Sequence, residues 1–283
     1  MIKKIFSFTF ILTLLIFSCS SDNDDNSSEV WEQKSEMLTN WADNFISPSY
    51  TTLTNNLVLL EESGNTFAGS TNLQNLENLR ASFINAYMSW QYVEMFDIGL
   101  AEETYYKSKM NIYPTTVSRI ELNIQNGNTD FNNSNNYSAQ GFPALDYLLY
   151  GIEASDELIL SKYNNESQYL SYLSQIINQM LQNTSPIVED WQSYRNTFIS
   201  SVENTATSSV NKMTNDFIYY YEKGFRANKF GIPAGVFSGG ALPEKVEAFY
   251  NQNISKALAL EGFQAIKNFY NGNGGVSLSL IHI

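Results

Sequence analysis

Ala139-Gln-Gly-Phe-Pro-Ala-Leu-Asp-Tyr-Leu-Leu-Tyr-Gly151 is the stretch whose reading decides the fold. Pro143 has a fixed φ and no N–H, so it suits the first turn of a helix, where that N–H would lack a partner anyway. Leu145, Leu148 and Leu149 follow with the i, i+3, i+4 spacing of a buried face, and Gly151 can close the helix in a left-handed conformation. On such a helix Pro143 and Asp146 lie one turn apart on a single face.

Outward from this segment the pattern stays helical. Thr71 with Gln74 three residues on reads as a capping box, and Leu73, Leu76, Leu79, Phe83, Ala86, Trp90 and Val93 form one apolar stripe. Residues 111–126 read as a helix with Pro114 in its first turn, ended by Gly127, and 128–138 as an Asn-rich loop. Tyr169–Leu181 is amphipathic, and Ser185-Pro186 reads as the start of the next helix, which the Ser/Thr-rich residues 204–209 could bend. Residues 229–243 read as a Gly/Pro-rich loop, either a flexible cover or a tight crossing. Residues 244–270 read as a long helix stopped by Asn271-Gly272. No strand pattern occurs. The expectation is an all-α chain of antiparallel helical bundles, with subdomains of about 30–140 and 141–275.

The charge balance narrows the function. Sixteen basic against 29 acidic residues leave a net charge of −13, a surface that repels nucleic acid, so no nucleic-acid partner is expected. Hydrophobic residues at 43 %, with 18 Tyr and 18 Phe, suffice for a packed interior. At the N-terminus, Lys3 and Lys4 precede an apolar run, Ile5–Phe17, shorter than the ~20 residues of a spanning helix. Residues 1–18 read as a signal peptide. Ile-Phe-Ser-Cys19 resembles a bacterial lipobox, which makes Cys19, the sole cysteine, the lipidation site and the link to a membrane. Residues 19–29 are acidic and polar, expected as an unfolded tether.

Several stretches, in order, resemble the imelysin family. Trp90–Gly99 looks like its Trp-rich helix, Tyr113-Pro114 like its aromatic-Pro helix start, and Ala139–Gly151 like its Gly-x-His-x-x-Glu motif helix. Lys229-Phe-Gly-Ile-Pro233 is similar to its Lys-Ile-Gly-x-Pro loop, and Val246–Ser255 to its Val-Glu-Ser segment. The resemblance runs over about 30–275. Residues 276–283, which include His282, the only histidine, fit neither pattern and look non-native, as if the C-terminus were truncated.

The resemblance implies an all-α imelysin-like fold and a place in the cell envelope, outer-membrane anchored and periplasmic or surface-exposed. The family takes its name from an insulin-cleaving activity, and other members resemble iron-regulated lipoproteins or the periplasmic component of a ferrous iron uptake system. In the family the motif His and Glu are proposed metal ligands; here they read as Pro143 and Asp146. Without an imidazole a zinc peptidase lacks ligands and a base, and a Ser–His or Cys–His nucleophile lacks its partner, so metallopeptidase activity is not expected.

What remains is carboxylate chemistry. Asp146 and Glu247 match the family's two acidic positions. They are candidate oxygen ligands for iron or another divalent cation, and Arg226, Tyr250 and Tyr113 complete the candidate binding site. As helix-start carboxylates paired with Arg226 or Arg119 they would instead be structural. Two functions stand open: a non-catalytic binding component of iron acquisition with uptake proteins as partners, or a degenerate scaffold that holds a peptide, glycan or partner protein in an interdomain groove. Palmitate labelling should mark the wild-type protein, be blocked by globomycin and vanish in Cys19→Ala; label retained in the variant would refute the anchor.

Overall fold

Buried helices need apolar residues nearly all round, and residues 141–149 have them, Asp146 apart. In the computed structural model, which describes residues 24–280, the helix Gly141–Tyr150 buries every residue from Gly141 to Leu149. The chain reaches it through α1 (Asp24–Trp41), a π-helical turn, α2 (Ser47–Gly69), α3 (Leu73–Trp90), two short helices, α4 (Leu100–Glu103) and α5 (Tyr106–Met110), and α6 (Val117–Asn126). The central helix is α7. It is followed by α8 (Asp156–Asn165), α9 (Ser167–Ser200), α10 (Ser209–Tyr219), a π-helical segment Tyr220–Gly231 and α11 (Gln252–Asn271). Among the described residues there is no strand, and no helix is long and apolar enough to cross a membrane. The expected signal peptide, Cys19 and His282 lie outside the described residues.

The α3 stripe expected from the sequence is the core from Leu76 to Val93, while Leu73 is 47 % exposed. The N-cap is Asn72 rather than Thr71: its side chain accepts from the N–H of Asn75 at 3.0 Å, and the Thr71 hydroxyl bonds back to Phe67 O. The rings of Tyr87 on α3 and Phe142 on α7 stack at 4.5 Å and 7°. Trp41 of α1 stacks on Phe269 of α11 at 4.7 Å, joining the first helix to the last.

Several expectations fail for physical reasons. Ser185-Pro186 starts no helix, because α9 runs through it for 34 residues. The hydroxyls of Thr184 and Ser185 bond back to the carbonyls of Met180 and Leu181 beside the proline. The helix expected over 111–126 begins only at Val117, since 111–116 run non-helically through a cis Tyr113–Pro114 bond. The expected tether is helical from Asp24, where α1 begins. Residues 276–280 pack: Val276 and Leu278 lie against the core, Ser277 is fully buried, and Asn40 donates to Val276 O at 3.0 Å.

Gly151 is not left-handed (φ −118°); it is small because a Cβ there would come within 2.2 Å of the Tyr250 ring. Gly141, at φ +71°, opens α7 where a Cβ would lie 2.2 Å from Met110 O. Gly127 is also left-handed (φ +62°) but faces open space. Gly127→Ala should therefore cost the ~1–2 kcal/mol of left-handed strain alone, whereas Gly141→Ala should cost well over ~3 kcal/mol or prevent folding. Urea denaturation of the two variants checks this; equal losses would contradict the packing described.

Candidate functional site

The residues of α7 and of 246–251 meet at Asp146. The expected helix from Glu244 does not form: a single 3₁₀ turn at Pro243–Lys245 gives way to a non-helical strap, and α11 begins at Gln252. In this strap Ala248 holds a left-handed φ of +54°, a conformation a non-glycine residue keeps only when its surroundings enforce it. Asp146 is one of the enforcers. Its two carboxylate oxygens accept the backbone N–H groups of Tyr250 at 2.8 Å and Asn251 at 2.9 Å, immediately before α11. A carboxylate is thus docked at the positive end of a 20-residue helix. Ser255 adds a second tie, its hydroxyl donating to Glu247 O at 2.6 Å. Burial pushes the Asp146 carboxyl up to about 6 against the pull of the two N–H groups, and the Glu247 charge adds to the rise. Asp146 sits in the second turn of α7, not the first.

Glu247 lies one layer deeper, in a closed polar network. The Lys229 ammonium, 5 % exposed as a residue, contacts Glu247 Oε2 at 2.6 Å, Gln91 Oε1 at 2.7 Å and Glu94 Oε2 at 3.2 Å. Three donors meet three acceptors. The second oxygen of Glu247 accepts from Gln91 Nε2 at 3.1 Å and Asn111 Nδ2 at 2.8 Å. Asn111 also donates to Glu94 Oε1 at 2.9 Å and accepts from the Tyr87 hydroxyl, and Tyr220 donates to Glu94 Oε2 at 3.1 Å. Burial works against the charged forms, but Glu94 is held below the usual glutamate value by Lys229 and Lys107, and Lys229 is held above the usual lysine value by Glu247 and Glu94.

Above this layer opens a cavity of about 280 Å³, walled by Tyr113, Pro114, Pro143, Asp146, Glu244 and Tyr250. Tyr250 leans edge-on against Tyr147 at 5.1 Å. Of the sequence candidates, Asp146, Tyr113 and Tyr250 come together here and Glu247 lies beneath. Arg226 does not join them: it is exposed and pairs with Glu222, one turn back on its own helical segment, at 2.6 Å. Arg119 makes no ion pair among the described residues. The cation of the site is Lys229, read from sequence as a loop residue because a lone buried lysine carries no periodic signal. Gln91, Glu94 and Asn111 carry no periodic signal either, and Tyr220 has the spacing of a core aromatic, which gives no sign of its bond to Glu94. The only hint was that Gln91 and Glu94 follow Trp90 directly at the end of a core stripe.

A metal centre does not fit this arrangement. Pro143 offers no donor where the family motif has His. Each oxygen of Asp146 already accepts a backbone N–H, and those of Glu247 accept from Lys229, Gln91 and Asn111, so both carboxylates are held by the protein's own donors. Among the described residues no group of three or more His, Cys, Asp or Glu is placed to hold an ion.

The sequence matches the family model described as imelysin, peptidase M75, over residues 46–281, a span that takes in most of the tail expected to be foreign to it. Two crystal structures are among those that share the fold. One is a protein from Parabacteroides distasonis ATCC 8503 described as an iron-regulated protein A precursor, 16 % identical, with a TM-score of 0.70 over 85 % of this chain and 74 % of that one. The other is an imelysin-like protein from Psychrobacter arcticum 273-4, 18 % identical, with a TM-score of 0.67 over 84 % of this chain and 74 % of that one. No curated protein sequence matches the chain significantly.

Two stability measurements test the site. Lys229→Met leaves two buried carboxylates without their cation and should cost ~3–5 kcal/mol at neutral pH; a loss below ~1 kcal/mol would mean the network is not formed. For Asp146 the folded pKa lies above the unfolded value of 3.8, so the native state binds the extra proton between pH 3.8 and about 6. Its contribution is full below that window and lost as pH rises through it, by ~3 kcal/mol. The stability of wild type relative to Asp146→Asn should accordingly fall between pH 4 and pH 7 in urea titrations; a rise would reverse the assignment.

Proposed function

This chain belongs to the imelysin family, and from that premise we propose that it is a non-catalytic binding protein of the cell envelope that serves iron acquisition. The observation that carries the reading is the motif cavity itself. It is formed, of small-molecule size and lined by Tyr113, Tyr250, Pro143 and Glu244, yet its motif carboxylate is committed to backbone N–H groups and it holds no imidazole. Such a site can hold a ligand and offers no nucleophile, no general base of suitable placement and no open metal position.

The link to iron rests on the iron-regulated protein A description of the Parabacteroides structure. Because Asp146 and Glu247 are already engaged and only the Glu244 carboxylate remains in the wall, the ligand is a body larger than a bare ion, either an organic iron complex or a segment of an uptake partner, gripped by the tyrosines and prolines. Attachment to the outer membrane through lipidated Cys19 would hold the cavity near such partners. The groove reading expected from sequence has its own support, since the cavity wall draws Tyr113 and Pro114 from before residue 140 and Pro143, Asp146 and Tyr250 from after it.

In a deletion strain, uptake of radioactive iron under iron limitation should drop several-fold and be restored by wild type but not by a folded Tyr113→Ala/Tyr250→Ala double variant. Unchanged uptake in the deletion strain would refute the iron role. Purified protein should leave insulin and casein intact with or without added Zn²⁺, and chelator-sensitive cleavage would overturn the non-catalytic assignment.

A further inference from the structure

On the far side of Tyr113 a second cavity, of about 330 Å³, opens between α4–α5 and the junction of α10 with the π-helical segment. Its wall includes Asp97, Tyr105, Lys107, Tyr113, Tyr219 and Asn228. In the motif cavity the carboxylate of Asp146 is spent on the fold; here the charged groups are not. Asp97 is mostly buried, which raises its carboxyl, and neither a hydrogen bond nor an ion pair from a described residue reaches it. The Lys107 ammonium lies 5.9 and 5.6 Å from the ring centres of Tyr219 and Tyr220 and has no oxygen acceptor among the described residues. Glu102, the other acid of the wall, is engaged by Lys212.

Two large aromatic faces stand in water at the rim, Tyr105 at 67 % and Tyr219 at 61 % exposure. A wall with one cation and one anion, neither of them in a hydrogen bond or close ion pair with a described residue, selects against simple ions: Lys107 repels a cation, and Asp97 with Glu102 repels an anion. A ligand that carries both an ammonium and a carboxylate answers both groups, while the tyrosines cover its carbon skeleton. We propose that this cavity binds a zwitterionic amino compound, an α-amino acid or the termini of a short peptide. Its volume lies at the low end of the ~300–1,000 Å³ of small-molecule sites, enough for one such molecule. The site is separate from the motif cavity and does not rest on the iron reading.

Calorimetry on the full chain tests it with four probes: L-alanine, trialanine, N-acetyl-trialanine and trialanine amide. Alanine or trialanine should bind, and whichever binds more tightly distinguishes free amino acid from peptide. Each blocked form should bind at least about tenfold more weakly than trialanine if the peptide is the ligand. Lys107→Met and Asp97→Asn should each weaken binding by about tenfold or more with little change in melting temperature. Tyr219→Ala, at an exposed position, gives the same readout if either variant fails to fold. No heat from alanine or trialanine at millimolar concentration, equal binding of blocked and unblocked forms, or wild-type affinity in the folded variants would each overturn the proposal.

Discussion

One buried ammonium holds the functional half of this molecule together. Lys229 cannot reach water, so its charge survives only because Glu247, Glu94 and Gln91 surround it at 2.6 to 3.2 Å. The members of the network, Lys229 included, come from four separate places in the chain: the turn after α3, the loop at Asn111, the π-helical segment and the strap before α11. In a low-dielectric interior a network of this kind is costly when incomplete and stable when every donor has an acceptor. Here each carboxylate oxygen and each lysine proton is matched. Those segments, none of them regular α-helix at the points of contact, are thereby fixed relative to one another.

The strap inherits its shape from that fixation. Anchored below by Glu247 and Ser255 and above by the two N–H groups on Asp146, it carries Ala248 in a left-handed conformation and presents Tyr250 to the cavity. The residues that would be expected to hold a metal are thus the ones that hold the backbone. The same economy explains Gly151, whose missing side chain lets the Tyr250 ring lie against α7. A cavity built this way is preorganised for binding, and its chemistry is confined to shape, aromatic surface and the free carboxylate of Glu244.

Periodicity reports burial one element at a time, and where burial alone decides the structure the sequence was legible. Leu76 to Val93 and Leu145 to Leu149 fall in the core as their spacing predicts, and Gly127 and Gly272 end their helices in left-handed conformations. The failures occur where a polar contact between distant segments overrides local pattern. Val246 and Phe249 have helical spacing, yet Asp146 and Lys229 pull their segment into a strap. Pro186 looks like a helix start because nothing local reveals that α2 packs alongside and carries the helix through the one backbone bond the proline removes. Arg226 was the conspicuous cation near the family loop, but it is Lys229, three residues on and turned inward, that meets the carboxylates.

The most direct test of the account is hydrogen exchange at two backbone amides. If Asp146 clamps the strap, the N–H groups of Tyr250 and Asn251 should exchange only through large-scale opening, with protection comparable to that of Leu148 in α7, even though both precede α11 in a non-helical segment. Exchange of these two amides at the rates of exposed loops, while α7 stays protected, would contradict it.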